Sequence, residues 1–521
     1  MNDTRQHLNV GCGSCALSRR RFLAGCAACG VGIGGLAALS GKTAAAEAPA
    51  KAKVRLVFTH IPSDRPIWPN IGYDFDRRKT ELTEGLRQGC PNVEFLPVTA
   101  QNSGEAQKIL EADDQVDGYL VYMVGLWTGA PAAIAAAGRP TMFVDDLYGG
   151  SGEFLIANAA ARRAGQKVVG VSTSRFEDVL EVARCFPVLN QPGKSVDDFL
   201  AAADAARRKS LAPAGDLSCA EDEVKAIDVG ECLKKLRQSK IVVVGRDPGG
   251  TGKAIEDVFG TKVIPVDFKE LDEAYQKADR DEAAQFADRW IAGAEKVIEP
   301  TRDEIVDSGA MYAAMCDVLK RHEAQAIAIN CLGGFYGGFI KAYPCLGFCQ
   351  LNNDGLVGAC EADLHSTIAM LAMGHLVGRP GYISDPVIDT SKNQIIYAHC
   401  VAMTKVFGPE GPANPYHVRS HSEDRKGAAL RSLMPLGYMT STLAFNPGSK
   451  QSVFHQGKSV QNVDEDMACR TKLAVEVNGD IDKLLTEWDR WGWHRVTFYG
   501  DLKEQVEELT GALGLEMIIE A

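Results

Sequence analysis

Short apolar runs alternate with helical stretches through the first part of the chain, beginning near Lys53. The runs are rich in β-branched residues and are bounded by turn residues, which is typical of buried parallel strands. Helical patterns at 77–87 and 104–111 fall between them. This alternation predicts a doubly wound α/β unit. The predicted strands are residues 54–58, 119–124, 141–144 and 168–171.

The pattern changes around residues 190–239, where Pro, Gly and charged helical residues replace the strand-like runs. We interpret this segment as a linker and crossover. A second α/β unit then begins at Lys240, and an acidic helical stretch at 270–299 is expected on its solvated face. The predicted strands of this unit are residues 241–244, 263–266 and 326–329.

A third region starts near Leu351 and has strands at 395–403 and 495–499 but fewer obvious helices. The predicted fold class is therefore α/β, with two doubly wound, Rossmann-like units followed by a mixed α+β C-terminal domain. The predicted domains are residues 1–46 as a signal peptide, 47–175 and 176–350 as the two α/β domains, and 351–521 as the C-terminal domain with the candidate site.

The N-terminus has the parts of an export signal. Arg19 and Arg20 directly precede an uncharged, Gly- and Ala-rich stretch at 22–40, and a small-residue cleavage motif follows at 44–46. Paired arginines in this setting predict the twin-arginine translocase as a partner and the periplasm, or another extracytoplasmic compartment, as the destination. An uncleaved membrane anchor is the weaker alternative, because Gly-rich segments insert poorly. Two C-x-x-C pairs fall in this segment and are expected to leave with it; they are Cys12, Cys15, Cys26 and Cys29.

Composition narrows the function classes. The chain has 521 residues, 45% hydrophobic and 24% charged, with a net charge of −12, which fits a multidomain globular protein. Nothing favours nucleic acid as a partner, since no basic run exists beyond the signal. Eleven of the 15 cysteines lie after the signal; because this number is odd and the chain is large, the protein is not a small disulfide scaffold. Four of them cluster in sequence, where buried thiols are favoured over a metal cluster or a disulfide; they are Cys331, Cys345, Cys349 and Cys360.

A Gly-rich segment from Gly245 to Lys253 imitates a phosphate loop. Asp247 and Ala254 stand where that loop needs Gly and Ser or Thr, so the NTPase signature fails. A tight strand-to-helix turn is the preferred interpretation. Its backbone N–H groups remain available to an anion at the helix N-terminus.

Candidate chemistry is concentrated between Cys360 and Cys400. Helical spacing predicts a helix that begins near Glu361 and ends before Gly378, which puts Glu361 at a helix N-terminus. Asp385 ends a short segment after a Pro-Gly turn, and His399 lies in an apolar strand. Carboxylates and imidazoles facing one cleft can hold a divalent metal such as manganese, and two carboxylates can do acid–base work. The alternatives are a capping Glu361 and a turn Asp385. His375 shares the apolar face and is predicted to be a core histidine.

The same block resembles the L-fucose isomerase and L-arabinose isomerase superfamily. In fucose isomerases a glutamate opens a similar helix, and an aspartate follows at the separation of Asp385 here. The C-terminal order of histidine, strand, helix and strand is also similar to that of arabinose isomerases. The matching motifs are Ala369-Met370-Leu371, Gly374-His375-Leu376 and Trp493-His494-Arg495-Val496-Thr497-Phe498.

The resemblance implies a Mn²⁺ site, with another divalent metal as an alternative. Glu361 and Asp385 match the two metal-binding carboxylates, which also shuttle protons, whereas His494 matches the late histidine ligand and His399 an additional one. His417 and His421 are candidates for ligand or substrate contacts, with a solvated loop as the alternative. The resemblance also implies a homo-oligomer, a trimer or hexamer.

The predicted function is metal-dependent aldose–ketose isomerisation of a sugar through an enediol. One alternative is an exported sugar-binding protein without catalysis, and another is a metal-dependent lyase or epimerase on the same scaffold. The loop at 334–338 matches nothing in the family, so the sugar is not identified from the sequence.

Overall fold

The computed structural model describes residues 51–521. The predicted signal, with its arginine pair and its four cysteines, lies outside these residues. Within them, no helix is both long and apolar enough to cross a membrane.

Five parallel strands form the first sheet, in the order β2-β1-β3-β4-β5. Strands β3, β4 and β5 are buried along their whole length because helices cover both faces. The four strands predicted from apolar runs are present; β2 escaped prediction because it is a half-exposed edge strand containing Pro97. The strands are β1 (Ala52–Thr59), β2 (Val93–Ala100), β3 (Gly118–Met123), β4 (Thr141–Asp145) and β5 (Val168–Ser172), and the helices are α1 (Phe75–Gly89), α2 (Ser103–Ala112), α3 (Ala130–Ala136), α4 (Ser151–Arg163) and α5 (Phe176–Ala183).

The predicted linker contains two helices joined by an extended stretch at 210–228. The first, α6 (Val196–Lys209), starts at a capping box of Ser195 and Asp198 and buries Phe199 in the first core. The second is α7 (Val229–Gln238), which leads directly into the next sheet.

A second parallel sheet has the order β10-β9-β6-β7. The strand order reverses between β6 and β9, and ligands of such sheets bind at the carboxyl ends of the strands beside that reversal. The strands are β6 (Lys240–Val244), β7 (Lys262–Val266), β9 (Ala326–Ile329) and β10 (Val357–Ala359), and the helices are α8 (Gly249–Phe259), α9 (Phe268–Lys277), α10 (Arg280–Gly293), α11 (Arg302–His322), α12 (Cys331–Tyr336), α13 (Cys345–Asn353) and α14 (Leu364–Val377).

The C-terminal region is a closed antiparallel barrel. Its order is β15-β18-β11-β12-β17-β16, and a further pairing between β15 and β16 closes it. The coarse prediction of α/β units followed by a different C-terminal architecture is confirmed, but this part is β-rich rather than evenly mixed. The barrel strands are β11 (Tyr382–Asp389), β12 (Gln394–His399), β15 (Met439–Asn446), β16 (Gln451–Asn462), β17 (Thr471–Asn478) and β18 (Arg495–Tyr499).

Smaller elements complete the chain. A three-stranded sheet joins the second α/β unit to the barrel, and a last strand runs parallel to the start of β16. These elements are β8 (Lys296–Val297), β13 (Tyr416–Arg419), β14 (Ala429–Ser432), α15 (Ile481–Glu487), α16 (Lys503–Leu513) and β19 (Glu516–Ile519).

Helix α14 packs between the second sheet and the barrel, so it is buried nearly all round. It ends at Val377, before Gly378 as predicted, and Gly378 caps it in the left-handed conformation. Its start differs from the prediction. Asp363 is the N-cap, and Glu361 and Ala362 before it have φ values of 58° and 48°. A left-handed residue cannot belong to a right-handed helix, so Glu361 lies in the turn that precedes α14.

Candidate active site

Glu361 is presented by a turn at the carboxyl end of β10. The turn is held where it begins and where it ends, because Ala362 N–H donates to the Ile329 carbonyl at 2.9 Å and Asp363 N–H to that of Cys360 at 3.2 Å. Two consecutive left-handed residues other than glycine are costly, and such strain persists only where surrounding contacts enforce it. The Glu361 side chain is 31% exposed. Burial raises the pKa of its carboxyl group, and the nearby Asp385 raises it further.

Asp363 serves two elements with its two oxygens. Oδ1 caps α14 by accepting the N–H groups of His365 at 3.0 Å and Ser366 at 3.3 Å. Oδ2 accepts the Ser366 hydroxyl at 2.6 Å and lies 3.0 Å from His494 Nδ1. Burial alone would raise the pKa of Asp363, but the His494 contact holds it well below its usual range. One ionised carboxylate therefore joins α14 to the barrel.

His494 directly precedes β18 and is 8% exposed. Because Nδ1 donates to Asp363, the other ring nitrogen can offer a lone pair. That nitrogen, Nε2, lies 3.0 Å from Asp385 Oδ1 and 3.7 Å from Glu361 Oε2, yet it has no aligned hydrogen-bond partner. Burial alone would lower the pKa of His494, but the carboxylates of Asp363 and Asp385 raise it well above its usual range. Without a metal, His494 is therefore a cation among carboxylates.

Asp385 lies inside strand β11 rather than at the end of a short segment, and its backbone pairs with Ala398 of β12. Oδ1 accepts the indole N–H of Trp493 at 2.7 Å, and the Cys469 thiol is 3.8 Å from Oδ2. Burial alone would raise the pKa of Asp385, but the imidazoles of His399 and His494 lower it overall. Asp385 is therefore a fixed, ionised carboxylate.

His399 ends β12 with its ring stacked on that of His494 at 5.8 Å between centroids. Its Nδ1 accepts the backbone N–H of Cys400 at 2.9 Å. A neutral imidazole that accepts at Nδ1 carries its proton on Nε2. The Nε2 atom is buried without a partner, 4.0 Å from Glu361 Oε1. In this geometry, His399 presents an N–H donor to the site, whereas a ligand role would require the Cys400 contact to break.

The donor set fits a divalent ion. Glu361, Asp385 and His494 each offer one atom, and these atoms lie within 4.8 Å of one another. Two carboxylate oxygens and one imidazole nitrogen suit an ion of intermediate softness such as Mn²⁺. The buried, unpartnered His494 Nε2 is the observation that points to an ion, because a carboxylate behind a histidine is how proteins orient metal ligands.

Two of the other predicted histidines face elsewhere. His417 lies on β13 with Nε2 3.5 Å from Glu295 on the three-stranded sheet. His421 Nδ1 donates to Asp424 Oδ1 at 3.1 Å, and its ring packs against Phe335, whose ring centroid is 5.4 Å away. Residues 334–338, predicted as a loop, are the end of α12 and the turn after it, and Phe335 of this segment packs over His421.

His375, predicted as a core residue, is half-buried and hydrogen-bonded to Ser239 at 2.9 Å.

The site opens into a cleft of about 490 Å³. Its lining includes Glu361 and His494 together with Arg246 and the first turn of α8, which is the Gly-rich segment that fails as a phosphate loop. Arg246 Nη1 donates to the Glu361 carbonyl at 3.3 Å.

Sequence reasoning missed Asp363, Trp493 and Arg246 as members of this site. An Asp-x-x-Ser pattern before an apolar helix was the available signal for Asp363, since it is typical of an N-cap.

Two carboxylates and a carboxylate-oriented histidine, set between a doubly wound sheet and a barrel, define a candidate metal-assisted proton-transfer site. No family model matches the chain. It is 26% identical over 312 residues to a protein named sulfoquinovose isomerase from Priestia aryabhattai, covering 56% of this chain and 67% of that protein. A protein of the same name from Clostridium sp. is 24% identical over 312 residues, with 55% and 66% covered.

A third relative of that name, from Alkalicoccus urumqiensis, is 30% identical over 189 residues, which is 33% of this chain and 41% of the relative. The longer matches span about two thirds of the relatives' length. These similarities support an isomerase of the aldose–ketose class, which confirms the class of enzyme predicted from the sequence.

Replacing Asp363 by Asn tests the double role of this residue. The cap needs an oxygen at Oδ1, so the amide NH₂ takes the place of Oδ2 and faces His494 Nδ1. Nδ1 then becomes the acceptor and the proton moves to Nε2, where it blocks a ligand. We expect Mn²⁺ affinity to fall about 10–100-fold, measured by calorimetry, with an unchanged circular dichroism spectrum.

Asp480→Asn is the matched control, since Asp480 caps α15 in the same way without a histidine behind it. Equal metal affinity in the Asp363 and Asp480 variants would contradict this role of Asp363.

Proposed function

We propose that the chain is a metal-dependent aldose–ketose isomerase that moves a hydrogen between neighbouring sugar carbons through an enediol. The observation that carries the proposal is the convergence of Glu361, Asp385 and the unpartnered His494 Nε2. Kinship with the fucose and arabinose isomerase superfamily belongs to the same proposal and rests on the Glu361 and Asp385 motifs. Glu361, Asp385 and His494 would hold the ion, preferably Mn²⁺, with His399 as the fourth candidate.

A bound divalent ion would polarise adjacent sugar oxygens and so acidify the C–H bond between them. The two carboxylates differ in what they can reach. Asp385 is 9% exposed and fixed by the Trp493 indole, whereas Glu361 is 31% exposed and lines the cleft. We therefore assign to Glu361 the role of the base that transfers the carbon-bound hydrogen. It takes this hydrogen as a proton from one sugar carbon and returns it to the neighbouring carbon. His399 Nε2–H is the nearby donor that protonates the carbonyl oxygen as the enediol forms, and it regains a proton from the neighbouring hydroxyl as the new carbonyl forms.

The substrate class follows from the relatives and the lining of the cleft. Sulfoquinovose is a hexose that carries a sulfonate at C6, so an enzyme for such a sugar needs a cationic or N–H-rich contact away from the carbons that react. Arg246 and the N–H groups of Gly250 and Thr251 at the start of α8 supply one in the same cleft as Glu361, whereas the Gly249 N–H is already taken by Asp247 Oδ1 at 2.9 Å. We propose a sugar with an anionic terminal group as the substrate, with sulfoquinovose as the first candidate.

Glu361→Gln tests the catalytic assignment. The variant keeps the size of the side chain but removes its ability to accept the carbon proton. We expect incorporation of solvent deuterium into the sugar to fall by at least about 10³-fold, a loss in keeping with the usual weight of general base catalysis. The matched control is Glu295→Gln, which changes a carboxylate beside His417 on the three-stranded sheet.

Exchange at the normal rate in the Glu361 variant would contradict the assignment. An absence of exchange in the unmodified, Mn²⁺-loaded protein with every sugar tested would instead favour the sugar-binding alternative.

Arg246→Gln tests the anion contact. We expect KM for sulfoquinovose to rise about tenfold or more, the effect of losing a charged hydrogen bond, while KM for glucose changes little. Lys253→Gln is the control, because Lys253 is a nearby cation on α8 whose side chain pairs with Asp257 at 2.8 Å. An equal change for the neutral and the sulfonated sugar would contradict the contact.

We also propose that the twin-arginine translocase exports the chain to the periplasm or another extracytoplasmic compartment. A route for folded proteins suits a manganese site, because Mn²⁺ is among the weakest binders in the divalent series and a filled site escapes competition outside. The double variant Arg19→Lys, Arg20→Lys should leave the protein in the cytoplasm on cell fractionation, whereas Arg5→Lys should not. Unchanged export of the double variant would contradict this route.

We further propose that the chain forms a homo-oligomer, a trimer or a hexamer. Analytical ultracentrifugation tests this proposal, and a single monomer peak would count against it.

A further inference from the structure

Two thiols are in contact immediately behind the Glu361 turn. The Sγ atoms of Cys331 and Cys360 lie 3.0 Å apart, and the two residues are 2% and 4% exposed. They are not joined in a disulfide, and neither is any other of the eleven cysteines of residues 51–521. Cys360 also lies with Glu361 and His399 in a group that could hold a metal ion, but the isomerisation proposed above assigns no step to either thiol, so their mutual contact needs a separate explanation.

The backbone fixes this approach. Strands β9 and β10 pair in parallel with Ala328 opposite Ala359, so the chain leaves both strands at the same edge of the sheet. Cys360 follows β10 directly, and Cys331 opens α12 two residues after β9. The hydrogen bond from Ala362 N–H to the Ile329 carbonyl ties the two exits together. Residues 29 apart in sequence are thereby held side by side in the fold.

We propose that Cys331 and Cys360 are an oxidisable pair that closes to a disulfide and thereby alters the Glu361 turn. A disulfide needs its sulfurs about 2.05 Å apart, so they must approach by about 1 Å, which side-chain rotation together with a small shift of the Cys360 backbone provides. With hydrogen peroxide as the oxidant, one thiol becomes a sulfenic acid and releases water. The second thiol then attacks that sulfur and expels another water. In sum, two thiols and one peroxide give one disulfide and two waters.

The disulfide is expected to shift the Glu361 carboxylate because of the position of Cys360 in the chain. Cys360 is covalently attached to Glu361, and the turn beyond it already holds two left-handed residues. Drawing the Cys360 sulfur toward Cys331 displaces this strained turn, and with it the Glu361 carboxylate, relative to Asp385 and His494. This part of the inference rests on the proposed metal site, whereas formation of the disulfide does not.

Thiol mapping tests the pair directly. The full chain, loaded with Mn²⁺, is treated with hydrogen peroxide, unfolded, alkylated and weighed intact, then digested and sequenced by mass spectrometry. We expect two fewer alkylated thiols and one cross-linked peptide joining Cys331 to Cys360, both reversed by a reductant. Cys331→Ser should lose the cross-link, with Cys331→Ala as a second variant should the first fail to fold.

Cys345→Ser is the matched control, because Cys345 is equally buried, also opens a helix, and should leave the cross-link intact. A reduced pair after treatment, or a disulfide that uses other cysteines, would overturn the inference.

Metal binding tests the coupling. The Mn²⁺ dissociation constant of the oxidised protein should be at least tenfold weaker than that of the reduced protein, and Cys331→Ser should show no such difference. A disulfide that leaves the affinity unchanged would refute the effect on the Glu361 turn. If the chain binds no Mn²⁺ in either the reduced or the oxidised form, the proposed function is overturned instead. Thiol mapping would still show whether Cys331 and Cys360 form a disulfide.

Discussion

The Asp363–His494 hydrogen bond, 3.0 Å between Oδ2 and Nδ1, is the contact on which the site depends. It joins the N-cap of α14, which belongs with the second parallel sheet, to the residue that precedes a barrel strand. Without it, the two halves of the site would be joined only by the longer contacts of Glu361 with His494 and His399, at 3.7 and 4.0 Å, among the polar contacts of the site residues described here. With it, the ring of His494 is oriented and Nε2 is directed at Glu361 and Asp385.

This contact also explains how three carboxylates tolerate close burial. Buried charges are stable only when they are paired and hydrogen-bonded. Asp363 is satisfied by the cap and His494, and Asp385 by Trp493 and the two imidazoles. Glu361 has the fewest partners and the greatest exposure of these carboxylates. The fold thus leaves one carboxylate free enough to move a proton while it fixes the other two.

Much of this arrangement was predictable from local sequence. Apolar runs located seven of the nine strands of the two parallel sheets, all but β2 and β10. The motifs around Glu361, Asp385 and His494 pointed to residues that the fold brings together. The barrel was not predicted, because its closure depends on the β15–β16 pairing and on strands with many buried Thr and Ser residues. The predicted start of α14 was wrong, because tertiary contacts and not helical spacing set the conformation of the strained turn before it. Arg246 was missed because only the folded structure brings the turn between β6 and α8 into the same cleft as Glu361.

The central claim is that His494 exchanges a proton for a metal ion between Glu361 and Asp385. Titration of the metal-depleted chain with Mn²⁺, by calorimetry in two buffers of different ionisation heat, measures this exchange directly. The carboxylates of Asp363 and Asp385 raise the pKa of His494, so an ion that binds Nε2 competes with a proton for this nitrogen. We predict one ion bound per chain, about one proton released, and an affinity that rises up to about tenfold per pH unit below that pKa. Saturable binding without proton release, or no binding, would contradict the account.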